Sequence, residues 1–132
     1  MTEASNSQAR LLHAVRFAVL KHDRQRRKDA DAQPYVVHPL EVAETMAAHG
    51  EEDVEVHIAA VLHDVLEDTE TTATEIEEAF GSHVLKLVEA LTHREGTRAE
   101  RKQAQIDQAP SMPDAARRIK IADQYCNVRT FP

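Results

Sequence analysis

At 132 residues, 42% hydrophobic and 30% charged, the chain reads as one globular domain long enough for a real core. A formal net charge of −7, no tryptophan and only 4% aromatics disfavour general nucleic-acid binding, which rests on phosphate neutralisation and base stacking. Three glycines argue against a β-rich fold, no apolar run reaches membrane-spanning length, no signal-peptide layout opens the chain, and the single Cys126 can form no internal disulfide; the expectation is a cytoplasmic all-α protein with no membrane contact.

The first predicted helix runs from about Ser7 to His22, with Leu11, Leu12, Val15, Ala18 and Val19 as its apolar stripe. Asp23 to Pro34 loses the periodicity and reads as a charged loop, because Pro34 disfavours helix at Gln33. Tyr35-Val36-Val37-His38 reads as a short extended piece. Pro39 suits the first position of a second helix, which buries Leu40, Ala43, Met46 and Ala47 and ends before Gly50. A third, amphipathic helix begins near Asp53, presents Val54, Ile58, Val61, Leu62 and Val65 to the core, and carries Val61 to Thr69 as its second half.

Thr72-Ala73-Thr74-Glu75 is a capping box that opens a short helix ending at Gly81. The next helix starts at Gly81 or Ser82 and buries Val84, Leu85, Leu87, Val88 and Leu91. A second capping box, Thr97 to Glu100, opens a polar helix to about Ala109; Pro110 ends it, and Pro113 starts a last helix toward Thr130. The expected architecture is a compact all-α bundle of about seven helices, one domain over residues 1–132.

Within the third helix, His63 and Glu67 are four apart, as are Asp64 and Asp68, so each pair stacks one turn above the other. Ala59 and Ala60, one turn earlier, are small enough for a neighbouring helix to come close. Three carboxylates beside one imidazole repel one another unless a cation joins them. On the last helix Asp123 falls on the stripe of Ala116, Ile119 and Cys126, where an unpaired ion is expensive. A partner arginine or a capping bond would also satisfy it. His38, taken alone, reads equally as a helix cap or surface residue. His13, His22, His49, His57, His83 and His93 share no spacing and read as surface or core-edge residues.

Together, His38, His63, Asp64 and Asp123 offer two imidazoles and two carboxylates from three elements. That mixed set suits manganese, iron, zinc or magnesium-like chemistry rather than a thiolate-selected metal. Glu67 and Asp68 then lie one turn away, where a general base or water-orienting group is needed. Lys21, Arg24, Arg26, Arg27 and Lys28 form a basic run in an acidic chain: either a solvated loop or a polyphosphate cradle. Arg98, Arg101 and Lys102 read as a solvated helix face that could add a second basic edge.

Four segments carry a family resemblance: Arg27-Lys28-Asp29 with Pro34-Tyr35 and His38-Pro39; Leu62-His63-Asp64 with Glu67-Asp68-Thr69; Phe80-Gly81; and Lys120 to Asp123 with Asn127-Val128-Arg129. In this order they resemble the HD phosphohydrolase superfamily, and more closely the RelA/SpoT-type small alarmone hydrolases similar to the metazoan SpoT homologue. The resemblance implies removal of the 3′-pyrophosphate from ppGpp or pppGpp, usually with manganese. It implies His38, His63, Asp64 and Asp123 as metal ligands and Glu67 and Asp68 as the water-activating pair. It further implies Arg27, Lys28, Tyr35, Asn127 and Thr130 around the nucleoside and Arg98 at the phosphates; Arg24, from the basic run, is expected to bind substrate beside them.

The chain also departs from the family. Val65-Leu66 replaces the common Thr-Val, and Asp29 to Gln33 lacks the usual glycine and adds negative charge. Family members normally continue past the position of Phe131-Pro132, so the expectation is a C-terminally short domain: a minimal form, a truncated piece, or one covered by a second subunit in a homo-oligomer. Two other readings stay open. The same site could act on a ppApp-type alarmone or the 2′-phosphate of NADPH, or the domain could bind a nucleotide without turning it over.

Overall fold

The helix Val54–Leu62 buries six of its nine residues, Val56 and the unbroken run Ile58 to Leu62. Such a segment is apolar round most of its circumference, with Glu55 and His57 at the margin, so it sits largely inside the protein. This corrects the expectation of an amphipathic helix with one core face. The computed structural model describes residues 3–23, 25, 33–92, 99–100, 103 and 112–130. Its helices are α1 (Glu3–Lys21), α2 (Val37–Ala48), α3 (Val54–Leu62), α4 (Val65–Asp68), α5 (Ala73–Phe80), α6 (Ser82–Leu91) and α7 (Asp114–Thr130). The fold is all-α, with no strand among the described residues, and no described helix is long and apolar enough to cross a membrane.

Helices α1, α2, α6 and α7 pack around α3, and α5 packs on α6. Ala59 and Ala60 are fully buried, which lets the surrounding helices approach closely. Ile58, Leu62, Ile76, Leu87 and Ile119 are the largest side chains wholly removed from water. Each such burial contributes roughly 1.5–3 kcal/mol against chain entropy.

α1 begins at Glu3, earlier than its predicted start at Ser7, and its stripe is shifted. Ala14 and Ala18 are buried with Leu11 and Val15 against them, whereas Leu12 and Val19 face solvent. The predicted extended piece before α2 is instead a turn: Val37 N–H donates to Pro34 O at 3.1 Å and His38 N–H to Tyr35 O at 3.0 Å. α2 therefore starts at Val37, and Pro39 sits in its first turn, where a missing N–H costs no intrahelical bond. Val42 joins Ala43 and Met46 in the core, while Ala47 is exposed.

α2 ends in a Schellman motif: Gly50 N–H donates to Ala47 O at 3.2 Å and Glu51 N–H to Met46 O at 3.0 Å. The motif needs a left-handed residue, and Gly50 supplies φ +103°. The first predicted capping box is formed, with Glu75 N–H on Thr72 Oγ1 and Thr72 N–H on Glu75 Oε1, both at 3.2 Å. The second, with most of the polar helix after it, lies outside the described residues. On the surface, Glu55 ties α3 to α1 and α6 by accepting from Arg10 at 2.9 Å and His83 at 2.7 Å.

Candidate metal centre

α3 does not continue through His63. Its last turn tightens there: His63 N–H reaches Ala60 O at 3.4 Å, and the imidazole Nδ1–H donates to the same carbonyl at 2.6 Å. Asp64 follows at φ −101°, ψ 0°, in the sparsely populated bridge region where many active-site residues sit. Only then does the four-residue helix α4 begin. The expectation of one uninterrupted helix is thus overturned. The break also has a chemical consequence: neighbours on a regular helix do not face each other, yet His63 Nε2 and Asp64 Oδ2 lie 3.1 Å apart.

The other half of the site comes from α2 and α7. His38 Nε2 lies 2.6 Å from Asp123 Oδ1, and His63 Nε2 lies 3.3 Å from the same oxygen. Both imidazoles are buried, while Asp123 keeps 28% of its side-chain exposure, so the cluster opens outward at its carboxylate edge. Tyr35 donates its hydroxyl to Asp64 Oδ2 at 2.6 Å. Burial, with the Asp64 charge beside it, pushes the Tyr35 phenol well above its usual range, so it stays a donor.

Three predicted ligands, His38, His63 and Asp64, present donor atoms within 4.8 Å of one another, and Asp123 meets both imidazoles. These residues fit a divalent cation. The Ala60 carbonyl holds Nδ1–H of His63, which turns Nε2 inward in the manner of outer-shell partners at metal sites. Without an ion a proton takes that role. Burial alone would lower the His63 pKa, but its hydrogen bonds to Asp123 and Asp64 outweigh it and raise it to about 10. Burial likewise opposes the charge on Asp123, and hydrogen bonds from His38 and His63 hold its carboxyl well below the usual range.

Asp68 closes α4 one turn after Asp64, to which its N–H bonds at 2.9 Å. Burial and the nearby Asp64 charge raise its carboxyl above the ordinary carboxylate range. Glu67 beside it is exposed. Of the residues expected around the substrate, Tyr35 is the one brought into the carboxylate cluster. Asn127 is half-buried, one turn beyond Asp123 on α7. Thr130 ends α7, and its side chain, with Arg24, Arg27, Lys28 and Arg98, lies outside what is described.

Two neighbours escaped the sequence reading. His22 is buried, not on the surface, and Gln25 lies between it and Asp68. The signal was present for the first: His22 falls four residues after Ala18, on the buried stripe of α1.

The pattern of the HD domain family matches residues 14–131, a span that holds all four predicted ligands. The chain belongs to the HD-domain family. It is 43% identical over 126 residues to guanosine-3′,5′-bis(diphosphate) 3′-pyrophosphohydrolase MESH1 of Danio rerio, covering 94% of this chain and 70% of that one. The MESH1 of Homo sapiens is 44% identical over 123 residues, covering 92% and 69%. A guanosine-3′,5′-bis(diphosphate) 3′-pyrophosphohydrolase of Aquifex aeolicus is 41% identical, across 89% of this chain and 17% of its own. Among solved structures, one described as a metazoan ortholog of SpoT that hydrolyzes ppGpp superposes with a TM-score of 0.86 at 36% identity, covering 92% of this chain and 69% of that one. The chain is thus an HD-domain protein of the MESH1 type in both sequence and fold. It spans about 70% of the length of its MESH1 relatives.

Proposed function

We propose that this HD-domain protein is a phosphohydrolase that removes the 3′-pyrophosphate from ppGpp and pppGpp, yielding GDP or GTP and pyrophosphate, with manganese as the working cation. The observation that carries the reading is the convergence of His38, His63, Asp64 and Asp123 in a chain whose MESH1 relatives are named for this reaction. A divalent ion in that cluster would supply Lewis-acid polarisation of the phosphoryl oxygens and acidify water at neutral pH.

The chain's own residues do the rest. His63, its ring fixed by Ala60 O, and His38 from α2 would hold the ion with Asp64 and Asp123. Tyr35 donates to Asp64 Oδ2, the oxygen that lies 3.1 Å from His63 Nε2, and so orients that carboxylate in the cluster. Asp68, more basic than an ordinary aspartate, takes the proton of the attacking water, and Glu67 orients that water. The water oxygen bonds to the phosphorus attached at the 3′ position, the P–O3′ bond breaks, and the proton passes to the 3′ oxygen of the departing nucleotide. Arg24 and Arg98 would answer the phosphate charge, and Arg27, Lys28, Asn127 and Thr130 would hold the nucleoside. We place this reaction in the cytoplasm.

A substrate panel tests the reading: ppGpp, ppApp and NADPH, each with manganese. Pyrophosphate released fastest from ppGpp supports it. Preferential release of phosphate from NADPH, or turnover confined to ppApp, would reassign the substrate.

A further inference from the structure

His22 is 3% exposed, and its N–H caps the end of α1 on Ala18 O at 2.9 Å. Its Nδ1 lies 2.9 Å from Gln25 Oε1, and Gln25 Nε2 donates to the backbone carbonyl of Asp68 at 2.7 Å. The main chain of Gln25 is engaged as well: its N–H donates to His22 O at 3.0 Å, and its carbonyl accepts from Tyr35 N–H at 2.7 Å. Gln25 belongs to no helix, yet all four of its polar groups are bonded.

Asp68 needs such an anchor. It ends a four-residue helix, too short to hold itself by its own hydrogen bonds. The carbonyls of a final turn have no intrahelical partner, and the chain leaves α4 in an extended conformation at Thr69, φ −133°, ψ 177°. The Gln25 amide satisfies the Asp68 carbonyl from outside the helix.

The amide's polarity decides the rest. With Nε2 donating to a carbonyl, Oε1 must accept, so His22 carries its proton on Nδ1. Its Nε2 is then a buried acceptor, and it has no hydrogen-bond partner among the described residues. An unmatched buried polar atom is destabilising, and an apolar side chain would serve the core better at that point. What the imidazole contributes is on its other side: Nδ1–H fixes Gln25, and the ring lies against Tyr35 at 5.2 Å between centroids. Tyr35 in turn holds Asp64.

We infer that Gln25, fixed by His22, is a positioning residue that sets Asp68 relative to the metal ligands, through its bond to the Asp68 carbonyl. The inference rests on the reading of Asp68 as the water-activating base. A misplacement of about 1 Å in a reacting group costs on the order of 100-fold in rate.

Gln25→Met removes both side-chain bonds at nearly constant size. Gln25→Glu keeps the acceptor for His22 and replaces the donor to Asp68 with a charged oxygen, so it breaks the proposed bond with added charge where Gln25→Met breaks it without, and an effect of the bond itself must appear in both. With saturating manganese and ppGpp, kcat should fall about 10-fold or more in Gln25→Glu, with manganese affinity by calorimetry within about two-fold of the parent. Asp68→Asn is assayed beside it. Loss of turnover in Asp68→Asn with kcat unchanged in Gln25→Glu overturns this inference alone. Full turnover in Asp68→Asn overturns the reading of Asp68 beneath it. A drop in manganese affinity parallel to kcat also overturns the inference, because the contact would then hold the metal centre instead of Asp68.

Discussion

Asp123 Oδ1 lies 2.6 Å from His38 Nε2, joining two residues 85 positions apart in the chain. The contact joins α7 to α2, which pack directly on each other, and it makes Asp123 the point where both imidazoles meet. Asp123→Ala should therefore weaken manganese binding at least about 100-fold by calorimetry, the upper end of what loss of a ligand's supporting partner costs. The helical circular dichroism should stay intact, because Ile119 and Cys126 keep α7 packed on the core.

Metal and proton compete for His63. Its folded-state pKa is raised to about 10, so below that value the ring carries a proton that an incoming ion must displace. Manganese affinity should rise with pH from 7 toward 10, with one proton released per ion, measured by calorimetry in buffers of different ionisation enthalpy. The sign for the metal-free protein is the opposite. A raised folded pKa contributes stability that is fully present below the ordinary 6.5 and is lost as pH rises through about 10. Chelated protein should lose melting temperature across that window, and metal-loaded protein should not.

Glu55 ties α3 to α1 and α6 on the surface. Its carboxyl is held below its ordinary value of 4.5 by the hydrogen bond from His83 first and that from Arg10 second. A depressed carboxylate contributes stability that is present above the unfolded value and is lost as pH falls through the folded one. Glu55→Gln should thus lower stability at pH 7 by no more than about 1 kcal/mol, the pair being partly exposed, and flatten the loss on acidification below 4.5. Urea titrations at several pH values measure both effects.

Much of this was legible in the sequence. The Thr72–Glu75 capping box and the Gly50 stop are local signals, and local chemistry decided them. The convergence of His38, His63, Asp64 and Asp123 was legible because two imidazoles and two carboxylates set among apolar residues have few other uses. What misled was the periodicity around His63. An apolar run at helical spacing says nothing of a side chain that takes the carbonyl of Ala60 and ends the helix itself. Nor does it tell a one-sided helix from α3, six of whose nine residues are buried by tertiary packing. Gln25 was missed for a similar reason: its partner, the carbonyl of Asp68, lies 43 residues further on and has no side-chain signature.

The most direct test of the account is product analysis of ppGpp incubated with the protein and manganese, with Asp64→Ala as control. The parent protein should give GDP and pyrophosphate in equal amounts, and Asp64→Ala neither. Intact ppGpp after prolonged incubation, or equal turnover in both proteins, would contradict it.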